Sequence, residues 1–131
     1  MFDEEVRKRC DEVEELSKSQ SIKIHQLWLS RFANRVKTRT GKWRVGEHLW
    51  EGFGRDGQPS FVSTKALTQY ARQEIDTFYV FDETGKHCYM CKSAWHPEFY
   101  DTGYDVYLMP EDGSWTVVFT HHNVAYFAYA D

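Results

Sequence analysis

Residues 104–129 read YDVYLMPEDGSWTVVFTHHNVAYFAY and carry the densest strand pattern in the chain. Two apolar, β-branched segments, 104–109 and 114–121, flank a Pro-led turn that closes with glycine, which is typical of a β-hairpin. Side chains alternate between the two faces of a strand, so the face that holds Trp115 is predicted to lie in the core. We therefore expect this stretch to form the last hairpin of a sheet.

The segments upstream of this hairpin predict a second hairpin and several helices. Residues 77–81 and 87–93 alternate around a DETGK turn, which predicts two paired strands. Apolar residues at steps of three and four predict helices over 3–18, over 22–37 with Ser21 as N-cap, and over 64–73. A short strand is predicted over 47–53.

Helices at the start of the chain and hairpins at its end predict an α+β fold. The N-terminal helices are expected to pack on one face of an antiparallel sheet of four to five strands that ends in the two β-hairpins. The length of 131 residues predicts a single domain over 1–131, helical over 1–40, mixed over 41–76 and built of β-hairpins over 77–131. The aromatic share of 17% argues against disorder.

The composition favours a cytoplasmic protein. The N-terminus is charged from its third residue, and no apolar run approaches the roughly 18 residues that a membrane span requires. We therefore expect neither a signal peptide nor a membrane span. The cysteines Cys10, Cys88 and Cys91 are few and odd in number, which fits reduced thiols better than a disulfide framework.

Charge is unevenly placed along the chain. Residues 1–20 hold seven acids against four bases, whereas the stretch from Arg31 to Arg44 holds six bases and no acid. This basic stretch, with Trp43, could bind an RNA backbone, because lysine and arginine neutralise phosphates and aromatic rings stack on bases. A net charge of −4 argues against a dedicated nucleic-acid binder, and a solvated helix end explains the same residues.

A C-x-x-C motif offers the first candidate for chemistry. Cys88 and Cys91, flanked by His87 and His96, provide the ligand types of a zinc site. Residues three apart on a strand point to opposite faces, so the two thiols are expected not to converge. No metal site is therefore predicted there, and no cofactor is predicted elsewhere.

The second candidate is the histidine pair that closes the last predicted strand. His121 and His122 are expected to face opposite ways, as neighbours on a strand do. His121 is the candidate general base, and this role requires a second polar group within about 3 Å. Glu47, His48 and Asp105 are the residues expected to supply that group.

Several short stretches match the pattern of a known family in the same order along the chain. They are Asp105, Val106 and Tyr107; Trp115, Thr116, Val117, Val118, Phe119, Thr120 and His121; Tyr126 and Phe127; Leu27, Trp28, Arg31, Phe32, Ala33 and Asn34; Leu49, Trp50 and Phe53; and Phe78, Tyr79, Val80 and Phe81. On these residues the chain resembles domain of unknown function 4275, a family of small, mostly bacterial proteins without an established activity. His122 stands where that family has an acid, and Glu51 where it has a histidine. The resemblance implies a fold and no particular activity.

Two classes of function remain after these observations, beside the RNA binding through Arg31 to Arg44 considered above. The preferred hypothesis is a non-enzymatic protein-binding domain, for example an immunity or antitoxin-like inhibitor, that acts through a protein partner or a homodimer. It depends on the lack of a catalytic motif and on the abundance of Trp and Tyr, which interface centres favour. The alternative is a small hydrolase or metal-dependent enzyme that uses His121. The residues predicted to bind a ligand or partner are Trp50, Thr120, His121, His122, Tyr126 and Phe127.

Overall fold

The computed structural model describes residues 1–33, 48–53 and 57–130. The helices are α1 (Phe2–Arg9), α2 (Lys18–Phe32), a 3-10 helix (Leu49–Gly52) and α3 (Thr64–Ala71). The strands are β1 (Glu12–Glu15), β2 (Phe61–Val62), β3 (Thr77–Asp82), β4 (Cys88–Lys92), β5 (Val106–Pro110), β6 (Trp115–Phe119) and β7 (Ala125–Tyr129).

All seven strands form one antiparallel sheet in the order β1-β4-β3-β5-β6-β7-β2. The α+β class and both predicted hairpins, β3 with β4 and β5 with β6, are confirmed. The predicted four to five strands were too few. The additional strands are β1 and β2 at the two edges and β7, which pairs with β6.

The single helix predicted over residues 3–18 is wrong, because α1 ends at Arg9 and β1 follows. β1 pairs with β4, and Glu12 lies opposite Lys92, so a pair of opposite charges supports the register. Val13 is the one residue of β1 that is partly buried. A strand of four residues with one inward side chain shows no alternation of polar and apolar residues. The helical spacing of the surrounding apolar residues continues through it, so the sequence predicts one helix there.

Helix α2 begins four residues earlier than the predicted second helix. Ser17 is its N-cap: its hydroxyl accepts a hydrogen bond from the Gln20 backbone N–H at 3.2 Å, and the Gln20 side chain accepts one from the Ser17 N–H at 3.0 Å. This is a capping box. The predicted cap, Ser21, is buried inside the helix, which ends at Phe32.

Helices cover both faces of the sheet, and the predicted packing on one face alone is wrong. On one face, α1 and α3 pack over a core cluster that includes Phe78, Leu108 and Val117. On the other face, α2 and the 3-10 helix pack over a cluster that includes Phe81 and Met109. Trp115 lies in the first cluster, as predicted, but every residue of β6 is buried, so both of its sides are core.

The 3-10 helix replaces the strand predicted over residues 47–53, and α3 confirms the third predicted helix with an end two residues earlier. Most of the basic stretch, from residue 34 to Arg44, lies outside the described residues. None of the described helices has the length and apolar character that crossing a bilayer requires.

Candidate metal centre

Two neighbouring strands and the 3-10 helix bring His48, Asp105 and His121 together. Asp105 directly precedes β5, and His121 follows β6 by two residues. Because β5 and β6 are antiparallel, with Val106 opposite Phe119, the start of one strand lies beside the end of the other. His48 is the N-cap residue of the 3-10 helix, which packs on this part of the sheet.

The Asp105 carboxylate lies between the two imidazoles. Its Oδ1 accepts a hydrogen bond from the His121 backbone N–H at 2.8 Å, and His121 Nδ1 is also 2.8 Å from this oxygen. His48 Nδ1 is 3.3 Å from Oδ2. The Asp105 side chain is 6% exposed, whereas those of His48 and His121 are 26% and 31% exposed. The carboxylate is therefore buried beneath two histidines that solvent reaches.

The three residues each offer a ligand atom, and these atoms lie within 4.8 Å of one another. Ligands that bind one Zn²⁺ at about 2.0–2.2 Å lie roughly 3 Å apart, so the two nitrogen-to-oxygen distances suit a shared ion. His48 Nδ1 is buried and has no hydrogen-bond partner within residues 1–33, 48–53 and 57–130, although Asp105 Oδ2 is near. A ring nitrogen in this position can be satisfied by a water molecule or by a cation.

A second carboxylate, that of Glu83, adds negative charge next to this cluster. Glu83 Oε1 lies 3.7 Å from His48 Nδ1. Burial raises the pKa of Glu83, while hydrogen bonds from the Tyr107 hydroxyl and the Leu49 backbone N–H oppose that rise. Neither Glu83 nor Asp105 forms an ion pair with a lysine or arginine of the described ranges. A bound cation would balance these two carboxylates.

Aromatic rings support the cluster from one side. The His48 ring stacks on Trp50, with centroids 5.3 Å apart and planes 5° apart, and Trp50 stacks on Tyr126 at 5.6 Å and 16°. The His121 ring is 5.0 Å from that of His48. These contacts limit the rotation of His48 and hold its ring beside Asp105.

The structure brings four of the six predicted binding residues to this site and leaves two elsewhere. Trp50, His121, His122 and Tyr126 form the connected set of rings with His48. Phe127 instead packs on Trp115 in the core of the opposite face. The buried Thr120 hydroxyl accepts a hydrogen bond from the Val124 N–H, which is a role in the turn.

The expectation that His121 and His122 face opposite ways is wrong. Both residues lie in the turn between β6 and β7, and their ring centroids are 3.9 Å apart. The alternation of strand side chains does not apply there. The requirement for a polar group near His121 is met by Asp105 at 2.8 Å. Glu47 lies outside the described residues.

The C-x-x-C motif does not form a site of its own. Cys88 and Cys91 belong to the core clusters of opposite faces of the sheet, as the strand geometry predicted. His87 is exposed, and His96 Nε2 lies 2.7 Å from the Gln73 carbonyl oxygen. The four side chains therefore do not converge on one ion.

Sequence reasoning missed Glu83 and Tyr107. Glu83 is part of the DETGK turn, where acids are common, and Tyr107 sits inside an apolar strand and entered only through the family resemblance, so neither indicated a role at this site. The proximity of Asp105 to His121 could have been derived from the hairpin, because one precedes and the other follows a paired strand.

No family model, no curated protein and no solved structure matches the chain. The resemblance to domain of unknown function 4275 therefore stays a prediction.

Proposed function

We propose that this protein is a metal-dependent enzyme whose centre is a divalent transition-metal ion held by His48, Asp105 and His121. The observation that carries the proposal is the convergence of two ring nitrogens and one carboxylate within 4.8 Å. This is the alternative that the sequence offered for His121. The geometry at Asp105 favours it over the non-enzymatic domain that the sequence analysis preferred.

The ligand set indicates which ions and which chemistry to expect. Imidazoles favour zinc, iron and other transition metals, whereas magnesium and calcium favour sites made of oxygens alone. Three protein ligands leave at least one position for water, which is the arrangement of catalytic sites. An ion of this kind lowers the pKa of its water to about 7 and supplies a nucleophile at neutral pH. Hydrolysis is therefore the reaction class that the site suits best.

Calorimetric titration of the metal-free protein with Zn²⁺ tests the proposal. We expect saturable binding of one ion per chain. Asp105→Asn and His121→Gln should each weaken binding at least tenfold, because each removes or neutralises a ligand. His87→Gln is the matched control, since His87 is exposed and belongs to no group of three potential ligands in the described part of the chain. Lack of binding, or equal binding by all four proteins, contradicts the proposal.

One observation supports a second candidate function. The distance of 2.8 Å between His121 Nδ1 and Asp105 Oδ1 is that of a hydrogen bond that orients an imidazole as a general base. In this role His121 acts without a metal ion, and His48 contributes nothing. His48→Gln separates the two functions, because it should weaken Zn²⁺ binding only if His48 is a ligand.

The preferred sequence hypothesis, a protein-binding domain or homodimer, stays a prediction. Its support is a group of exposed apolar side chains, Phe61, Val62 and Tyr129, at the edge where β2 pairs with β7. Binding of RNA through Arg31 to Arg44 and a cytoplasmic location also stay predictions.

A further inference from the structure

Asp105 directly precedes β5 and His121 lies in the β6–β7 turn, whereas His48 lies on a separate segment of the chain. Asp105 and His121 are joined by a backbone hydrogen bond and lie at the ends of paired strands. His48 instead begins the short segment 48–53, which contains the 3-10 helix. The completeness of the site therefore depends on what holds this segment against the sheet.

Two side chains on the sheet side of the segment hold its first turn. Glu83 Oε2 accepts a hydrogen bond from the Leu49 N–H at 2.8 Å. The Tyr107 hydroxyl accepts one from the Trp50 N–H at 3.2 Å and donates one to Glu83 Oε1 at 2.5 Å. The first N–H groups of a helix lack hydrogen-bond partners within the helix. Glu83 and Tyr107 therefore accept hydrogen bonds from the Leu49 and Trp50 N–H groups, which would otherwise be left unsatisfied.

The position of the Tyr107 ring does not depend on its hydroxyl group. The ring is fully buried, stacks on Phe81 at 5.3 Å and 9°, and meets Trp28 edge-on at 5.1 Å. Replacement by phenylalanine therefore removes one hydroxyl and keeps the packing. It leaves the Trp50 N–H and Glu83 Oε1 without their partner.

We propose that Glu83 and Tyr107, here named the clasp, regulate the metal centre by controlling whether residues 48–53 are docked. With the clasp closed, His48 is beside Asp105 and the site is complete. With the clasp open, two ligands remain at the site. The apparent affinity for the metal ion is therefore reduced to the fraction of molecules in which residues 48–53 are docked. Coupling is reciprocal, so a bound ion also favours the docked segment. This inference rests on the proposed metal-dependent function.

Tyr107→Phe tests the clasp, with Tyr70→Phe as the matched control. Tyr70 is equally buried and donates its hydroxyl to the Pro97 carbonyl at 2.8 Å, but it lies on the opposite face of the sheet. We expect Tyr107→Phe to weaken Zn²⁺ binding by about 10- to 100-fold, as the loss of groups that orient ligands does. Tyr70→Phe should leave the affinity unchanged.

Hydrogen exchange of individual amides distinguishes undocking of residues 48–53 from a general loss of stability. In the wild-type protein, Zn²⁺ should slow exchange of the Leu49 and Trp50 amides well beyond any change in the β3–β4 amides. In Tyr107→Phe the protection of these two amides should fall before metal is added. If Tyr107→Phe does not fold, Glu83→Gln replaces it, because glutamine keeps one acceptor oxygen and should weaken binding to a smaller extent.

The outcomes separate the two proposals. If the wild type binds Zn²⁺ and Tyr107→Phe binds it within twofold of the wild type, the clasp is wrong and the metal centre stands. If both tyrosine variants weaken binding equally, the effect is general loss of stability and the clasp is again wrong. If the wild type does not bind, the metal-dependent function fails and the clasp fails with it.

Discussion

Asp105 is nearly buried, with 6% of its side chain exposed, and no lysine or arginine of the described residues pairs with it. Burial of a carboxylate costs several kcal/mol of folding free energy unless hydrogen bonds or a cation compensate it. The His121 backbone N–H supplies one such hydrogen bond, and the ring nitrogens of His121 and His48 lie 2.8 Å and 3.3 Å from the Asp105 oxygens. Burial raises the pKa of the nearby Glu83 carboxyl, and repulsion by Asp105 adds to this rise. The proposed ion would balance the charge of these two acids.

The residue-scale prediction follows from that imbalance. In the presence of a chelator, Asp105→Asn should not lower the free energy of unfolding and should raise it by up to about 1 kcal/mol, because it removes a buried charge. Zn²⁺ at a hundred times its dissociation constant should stabilise the wild type by about 2.7 kcal/mol and the variant by much less. Urea denaturation measures both values. An equal loss of stability with and without Zn²⁺ indicates a purely structural role for Asp105.

At the scale of elements, the sequence predicted those helices and hairpins whose patterns involve residues close together in the chain. The β3–β4 and β5–β6 hairpins were found because alternation and turn residues are local. The pairing of β1 with β4 joins residues that are far apart in the chain, and the two-residue β2 has no pattern to find. The start of α2 was missed although its Ser-x-x-Gln box is visible in the sequence.

The two possible caps of α2 give the element-scale prediction. Ser17→Ala removes the hydroxyl that accepts the Gln20 N–H and should lower the free energy of unfolding by about 1 kcal/mol. Ser21→Ala should change it by less than about 0.5 kcal/mol, or raise it, because the buried Ser21 hydroxyl has no hydrogen-bond partner among the described residues and alanine favours a helix. Urea denaturation of both variants measures the difference. The reverse order would place the cap at Ser21.

At the scale of the whole molecule, the sheet lies between helices on both faces, and this arrangement creates the site. α2 and the 3-10 helix cover the face on which Tyr107 and Met109 lie, so the segment that carries His48 reaches the end of β6. The sequence did not predict that helices cover the second face of the sheet. Val118 and Phe119 are neighbours on β6 and face opposite sides, and both are buried. Trp50 is 57 residues from Tyr107 in the chain, and no local sequence pattern predicts such a contact.

The central claim is that one transition-metal ion binds between His48, Asp105 and His121. Crystals of the wild-type protein grown with Zn²⁺, with diffraction recorded on both sides of the zinc absorption edge, test it most directly. We expect one anomalous peak within about 2.0–2.2 Å of a ring nitrogen of each histidine and of an Asp105 oxygen. A peak elsewhere, or no peak at these residues at saturating Zn²⁺, would contradict the claim.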